Sequence, residues 1–124
     1  MRIVRKRDYT EREYFTGKVN FLDILGPEAA RKLILVSFAP GARTFWHTHA
    51  GEQILYIVEG QARVQKQGEE AFDLDPGDVA YIEPNELHWH GAKPGSGPMS
   101  HLAITVGANE WYQEVSEEEY IGRN

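Results

Sequence analysis

Four of the five histidines in this chain fall in two pairs of the form His-x-His, His47 with His49 and His88 with His90. In an extended backbone successive side chains point to opposite faces, so each pair presents two imidazoles on one side. Trp46 and Thr48 face away from the first pair, and Trp89 faces away from the second. Imidazole nitrogen is a good donor to divalent first-row cations. One pair arises readily from surface histidines that bind nothing, or from buried ones bonded to backbone. Two pairs in a chain whose remaining histidine is His101 point instead to one shared cation.

Such pairs need strands to carry them. Lys32 to Ala39 is a near-continuous apolar run closed by Pro40-Gly41, which at that length predicts a buried strand rather than a helix. Gln53 to Glu59 predicts a strand, and Gly60 a hairpin into Gln61 to Gln67. Further strands are predicted at Ala71 to Leu74, Val79 to Ile82, Leu87 to Gly91 and Met99 to Val106, the last long one. Asp75-Pro76-Gly77-Asp78, Pro84-Asn85-Glu86 and the run from Pro94 to Pro98 supply turns between them.

Nearer the N-terminus, Tyr14 to Leu25 predicts one or two strands broken at Gly17, and Arg2 to Arg7 a short edge strand whose charges discourage further pairing. Ser116-Glu117-Glu118-Glu119 has the capping-box spacing that starts a short C-terminal helix, with the carboxylates as its solvated first turn. Many short strands separated by turn residues make an all-β sandwich or barrel, and a small barrel can hold one ligand in its mouth. Phe38, Phe45, Tyr56, Phe72, Tyr81 and Trp89 are expected to pack in the core or in an interface.

A chain of 124 residues suits one domain, here taken as 1–124 with the barrel core at about 31–107. A net charge of −6 argues against a nucleic-acid or anionic-membrane partner. The basic N-terminus lacks the apolar stretch of a secretory signal, and no apolar run approaches the ~20 residues of a membrane span. With no cysteine, thiolate nucleophiles and Cys-type zinc sites are excluded, which fits a cytoplasmic protein.

The spacing of Gly41, His47, His49, Gln53 and Gly60 resembles the first cupin motif, with Gln where most cupins carry Glu. Gly77 to His88 is similar to the second, with Glu86 in place of the usual Gly and the Pro-to-His spacing one residue short. The run His88 to Ala92, the segment Met99 to Ile104 and Tyr14-Phe15-Thr16-Gly17 are similar to the small single-domain cupins labelled carboxymuconolactone-decarboxylase-like. That group includes bacterial manganese-dependent cupin hydroxynitrile lyases. The resemblance runs from about Phe15 to Tyr120 and implies a double-stranded β-helix, or jelly-roll barrel, with the short helix at its end.

It further implies that His47, His49, Gln53 and His88 hold a metal, with Mn(II) favoured and Fe(II), Zn(II) or Ni(II) as alternatives. Glu52 rivals Gln53 because a carboxylate is the stronger donor to a hard cation, but the family's fourth ligand lies four residues after the second histidine. His90 becomes a free imidazole beside the ligands, either a base or a group that orients a ligand. His101 shares a strand face with Ala103 and Thr105 and is expected to point into the pocket. Thr44 matches a further pocket residue, yet strand parity puts Phe45 on the histidine face, so a role for Thr44 requires a bend there.

The expected function is a metal-dependent enzyme acting on a small oxygenated molecule. The metal would stabilise charge on oxygen, and His90, at the ordinary imidazole pKa of ~6.5, would move a proton. Cyanohydrin cleavage, decarboxylation and isomerisation all fit such a pair. An oxygen-using Fe(II) cupin and a non-catalytic ligand-binding module are the alternatives, and the extra imidazoles His90 and His101 favour chemistry over a closed structural site. A homodimer or higher homo-oligomer is expected, as cupins commonly pair strands across subunits.

Overall fold

The computed structural model describes residues 1–122. Twelve strands and one short helix follow in order: β1 (Phe15–Thr16), β2 (Val19–Asp23), β3 (Arg31–Phe38), β4 (Arg43–Thr44), β5 (His47–His49), β6 (Gln53–Glu59), β7 (Ala62–Lys66), β8 (Phe72–Leu74), β9 (Val79–Ile82), β10 (His88–Ala92), β11 (Met99–Val106), β12 (Asn109–Trp111) and α1 (Glu117–Ile121). They form two antiparallel sheets curled towards each other as an all-β half-barrel. One sheet runs β2-β3-β11-β6-β9. In the other, β10 pairs with β7 on one edge and with both β4 and β5 on the other; β7 continues to β8, β4 to β1 and β5 to β12.

The division of one long segment into β4 and β5 is the bend that the position of Thr44 requires. The chain leaves the sheet at Phe45 and Trp46 and rejoins it at His47. Strand parity is thereby reset: Thr44 turns inward with 1% exposure, while Phe45 is half-buried. Gly91 permits β4 to lie this close to β10, since a Cβ there would meet the Cβ of Arg43 at 2.5 Å. Gly60 takes the hairpin after β6 with φ +72°, a conformation that a side chain disfavours.

Apolar side chains fill the inside at two levels. Val19, Phe21, Val36, Phe38, Ile57 and Met99 pack between the sheets at one end, and Leu55, Ile82 and Ala103 form a smaller group beside the histidines. Trp46 and Trp89, turned to the outer face as parity dictates, pack with Val115 and Tyr120 of the C-terminal segment. Trp89 is fully buried and its indole N–H donates to Gln65 Oε1 at 2.9 Å. The helix that brings Tyr120 there begins as its sequence predicts. Ser116 Oγ accepts from the Glu119 N–H at 3.1 Å and the Glu119 carboxylate accepts from the Ser116 N–H at 2.9 Å, a reciprocal cap of about 1 kcal/mol. Tyr120 completes the anchor by donating its hydroxyl to the Ala92 carbonyl.

One expectation is corrected and one strand is added. Arg2 to Arg7 forms no strand; the N-terminal segment meets the sheet through an isolated bridge between Thr10 and Phe21. A strand not anticipated, β12, follows β11 and lies against β5. Of the aromatic residues expected in the core or in an interface, Phe38 and Trp89 are buried, while Tyr56, Phe72 and Tyr81 are exposed in the single chain. Tyr56 and Tyr81 point away from the space between the sheets, and Phe72 lies at its open edge on the face it shares with Val64 and Leu74. No helix among the described residues is long and apolar enough to cross a membrane.

Candidate metal centre

Strand pairing brings the two histidine pairs together. His88 on β10 is the register partner of His47 on β5, and their rings lie 4.2 Å apart between centroids. His49 flanks both, at 4.9 Å from His47 and 5.1 Å from His88. His90, one turn of the pleat further along β10, is 5.2 Å from His47. The potential ligand nitrogens of His47, His88 and His90 all lie within 4.8 Å of one another. All four rings are buried. By distance, then, His90 belongs with the ligand candidates as well as beside them.

Backbone carbonyls set the tautomers of two of these rings. His47 Nδ1 lies 2.8 Å from the Phe45 carbonyl and His88 Nδ1 lies 2.9 Å from the Glu86 carbonyl. A carbonyl only accepts, so each Nδ1 carries the proton and each Nε2 is left with a lone pair. Gln53 on β6 gives its amide N–H to Thr105 Oγ1 at 2.9 Å, which leaves its carbonyl Oε1 3.1 Å from His88 Nε2. Between neutral groups that contact sets lone pair against lone pair. Converging donors of this kind suit a cation, and the residues present fit one.

The titration behaviour of the cluster agrees. Burial, then the neighbouring rings of His88 and His49, push His47 well below the ordinary imidazole range. Burial and His88 bring His49 down to about 3. His88 is lowered by burial against the opposing pull of the Glu86 carbonyl. All are therefore neutral at pH 7, the form in which imidazole binds metal.

Glu52 is not a competitor for the site. Its carboxylate faces outward and accepts the Tyr81 hydroxyl at 2.6 Å, on the opposite face of β6 from Gln53.

His90 and His101 form a second, deeper pair. His101 on β11 is fully buried, and its Nε2 lies 3.0 Å from His90 Nδ1. Both carry a buried nitrogen with no protein partner, Nε2 of His90 and Nδ1 of His101. Phe38 closes over the two rings at 6.1 Å and 5.2 Å. Thr44 Oγ1 accepts the His90 backbone N–H at 3.2 Å and so fixes that stretch of β10. The expectation that His90 keeps an ordinary pKa is corrected: burial first, then His101 and the other rings, push it well below 6.5. Burial likewise brings His101 to about 4.

These side chains form the floor of a cavity of about 670 Å³ that reaches the surface. His47, His49, Gln53, His90, His101 and Thr44 all line it. Above them the walls are apolar and aromatic, with Phe15, Phe21, Ile34, Val36 and Trp111, and Arg12 lies over the Phe21 ring at the rim. Trp111 is the contributor that sequence reasoning missed. It pairs in register with His47 across β12 and β5, and the two rings pack at a tilt with centroids 4.7 Å apart. The available signal was Gly107, which ends β11 and lets a three-residue strand turn back.

The cupin domain family profile matches residues 34–105 of the chain. An (R)-mandelonitrile lyase of Granulicella tundricola is 39% identical over 115 residues, covering 87% of this chain and 86% of the relative. The crystal structure of a cupin-like protein from Thermotoga maritima superposes with a TM-score of 0.86 at 36% identity, covering 100% of this chain and 98% of that one. A predicted oxalate decarboxylase from the same organism shares the fold, with a TM-score of 0.71 at 23% identity over 86% of this chain and 100% of that one.

Proposed function

The chain belongs to the cupin domain family, and on that premise we propose that it is a metal-dependent lyase that cleaves a C–C bond beside an oxygenated carbon. A cyanohydrin is the substrate class favoured, and Mn(II) the favoured metal. The place within the family is beside the small single-domain cupins of the carboxymuconolactone-decarboxylase-like group. The observation that carries the reading is the meeting of two different sets of groups, with His47, His49 and Gln53 of the first and His90 and His101 of the second lining one cavity. Acceptor atoms of His47, His88 and Gln53 are gathered close together, and a second imidazole pair lies next to them with an unpartnered nitrogen on each ring. The 39% identity to a mandelonitrile lyase supports the choice of reaction.

His47, His49, His88 and Gln53 would hold the metal, which supplies a Lewis acid for the negative charge that develops on the substrate oxygen. The chain's own part is proton transfer and orientation. Nε2 of His90 accepts the proton of the substrate hydroxyl as the C–C bond breaks and the electron pair leaves with the cyano carbon. The same nitrogen then returns the proton to cyanide, so the products are an aldehyde and hydrogen cyanide. His101 accepts from His90 Nδ1–H and steadies the transient imidazolium, while Thr44 holds the His90 backbone. The aromatic wall of Phe15, Phe21 and Trp111 excludes water and offers an apolar seat for the substrate's side chain.

The test is aldehyde release from a panel of cyanohydrins, mandelonitrile among them, by protein loaded with Mn(II). Turnover that disappears on chelation and returns with metal supports the reading. A metal-loaded protein inert towards every cyanohydrin rejects it.

A further inference from the structure

Gln53 has two chemically different ends, and only one of them can donate to a metal. Its oxygen and nitrogen differ little in shape, so something in the protein must choose which end faces the histidines. We propose that Thr105 makes that choice, as a positioning residue that accepts the Gln53 amide N–H and so presents the amide oxygen to the metal centre. The inference rests on the metal-centre reading above and adds a residue to it.

Three observations support it. Thr105 on β11 is the direct cross-strand partner of Gln53 on β6, so the two side chains project side by side into the cavity. The bond from Gln53 Nε2 to Thr105 Oγ1 is 2.9 Å, and both residues are buried, at 5% and 7% exposure. The other end of the amide is 3.1 Å from His88 Nε2, whose lone pair would by itself attract an N–H rather than an oxygen. Without the hydroxyl, the orientation needed for metal strands a buried N–H without an acceptor, while the reversed amide satisfies His88. That penalty falls on the metal-bound form. A glutamate at this position would have no N–H to satisfy and two equivalent oxygens to offer. The requirement for an acceptor across the strand thus follows from having Gln at position 53.

The experiment is a Mn(II) titration against a chelating indicator, on wild type, Thr105→Val, Thr105→Ser, Gln53→Glu and the Gln53→Glu/Thr105→Val double variant. Thermal melts of each metal-free protein check folding. Thr105→Val should weaken Mn(II) binding by about 10-fold to 100-fold, the range for lost support of a metal ligand. Thr105→Ser should restore affinity to within about threefold of wild type, and in the Gln53→Glu background the valine should cost less than about threefold. Wild-type affinity in Thr105→Val, or an equal loss in both backgrounds, overturns the proposal. Affinity is read without turnover, so a failure to cleave cyanohydrins rejects the lyase reading and leaves this result standing.

Discussion

His88 Nε2 and Gln53 Oε1 face each other at 3.1 Å with no hydrogen between them to share. His88 gives its ring N–H to the Glu86 carbonyl, and Gln53 turns its amide NH2 away towards the Thr105 hydroxyl, so only acceptors are left facing each other. With His47 Nε2 in the same state, three acceptors of buried residues lie together, the ligand nitrogens of His47 and His88 within 4.8 Å of each other. A positive ion relieves that conflict, and the predictions below follow from it.

His90 is the group whose removal separates chemistry from metal binding. In His90→Ala the rate of cyanohydrin cleavage should fall by about 10² to 10⁴, the usual contribution of a positioned acid–base group. Metal content by elemental analysis should stay within error of wild type. An unchanged rate removes His90 from the mechanism, and loss of metal in the variant makes it a ligand instead, as its distance from His47 and His88 permits.

Acid should destabilise the metal-free protein. His101 titrates at about 4 in the folded chain because it is buried, and its ordinary value is near 6.5. Below 6.5 the unfolded chain binds a proton that the folded chain refuses, so stability falls with falling pH and levels off near 4. His101 alone accounts for a loss on the order of 3 kcal/mol across that window. His49, brought down to about 3, extends the decline to lower pH. Urea melts of metal-free protein from pH 8 to 4 read this directly. A flat profile, or a rise towards acid, contradicts the burial of neutral imidazoles.

Trp89 lies between the two histidines of β10 and faces the other way, packed against Tyr120 with ring centroids 5.8 Å apart. Trp89→Ala should cost about 3–5 kcal/mol in a urea melt, the range for removing a large buried aromatic side chain. A loss below about 1 kcal/mol would mean that the outer face of β10 does not depend on this packing.

Much of the fold was legible because parity is a local rule. Two His-x-His segments and the strand runs around them placed His47, His49, His88, His90 and His101 on inward faces, where they are found. The capping box at Ser116 was legible for the same reason, since its two partners are three residues apart. What escaped depends on long-range contact. The acidic shift of His90 comes first from its burial and then from the four other imidazoles gathered around it, and no spacing within the chain states how deep that burial is. Trp111 escaped because a three-residue strand has too few positions to show a period, and its partner is 64 residues away in sequence at His47. The basic run from Arg2 to Arg7 resembled an edge strand in composition, yet pairing requires a neighbouring edge, and among the described residues the segment finds only the bridge at Thr10.

The most direct test of the metal centre is the stoichiometry and ligand dependence of Mn(II) binding, followed by elemental analysis after dialysis and by titration. One ion per chain is expected, with affinity reduced at least ~100-fold in both His47→Ala and His88→Ala while each variant still folds. Wild-type protein that takes up no divalent metal, or folded variants that bind it as wild type does, would contradict the convergence of these residues on a single cation.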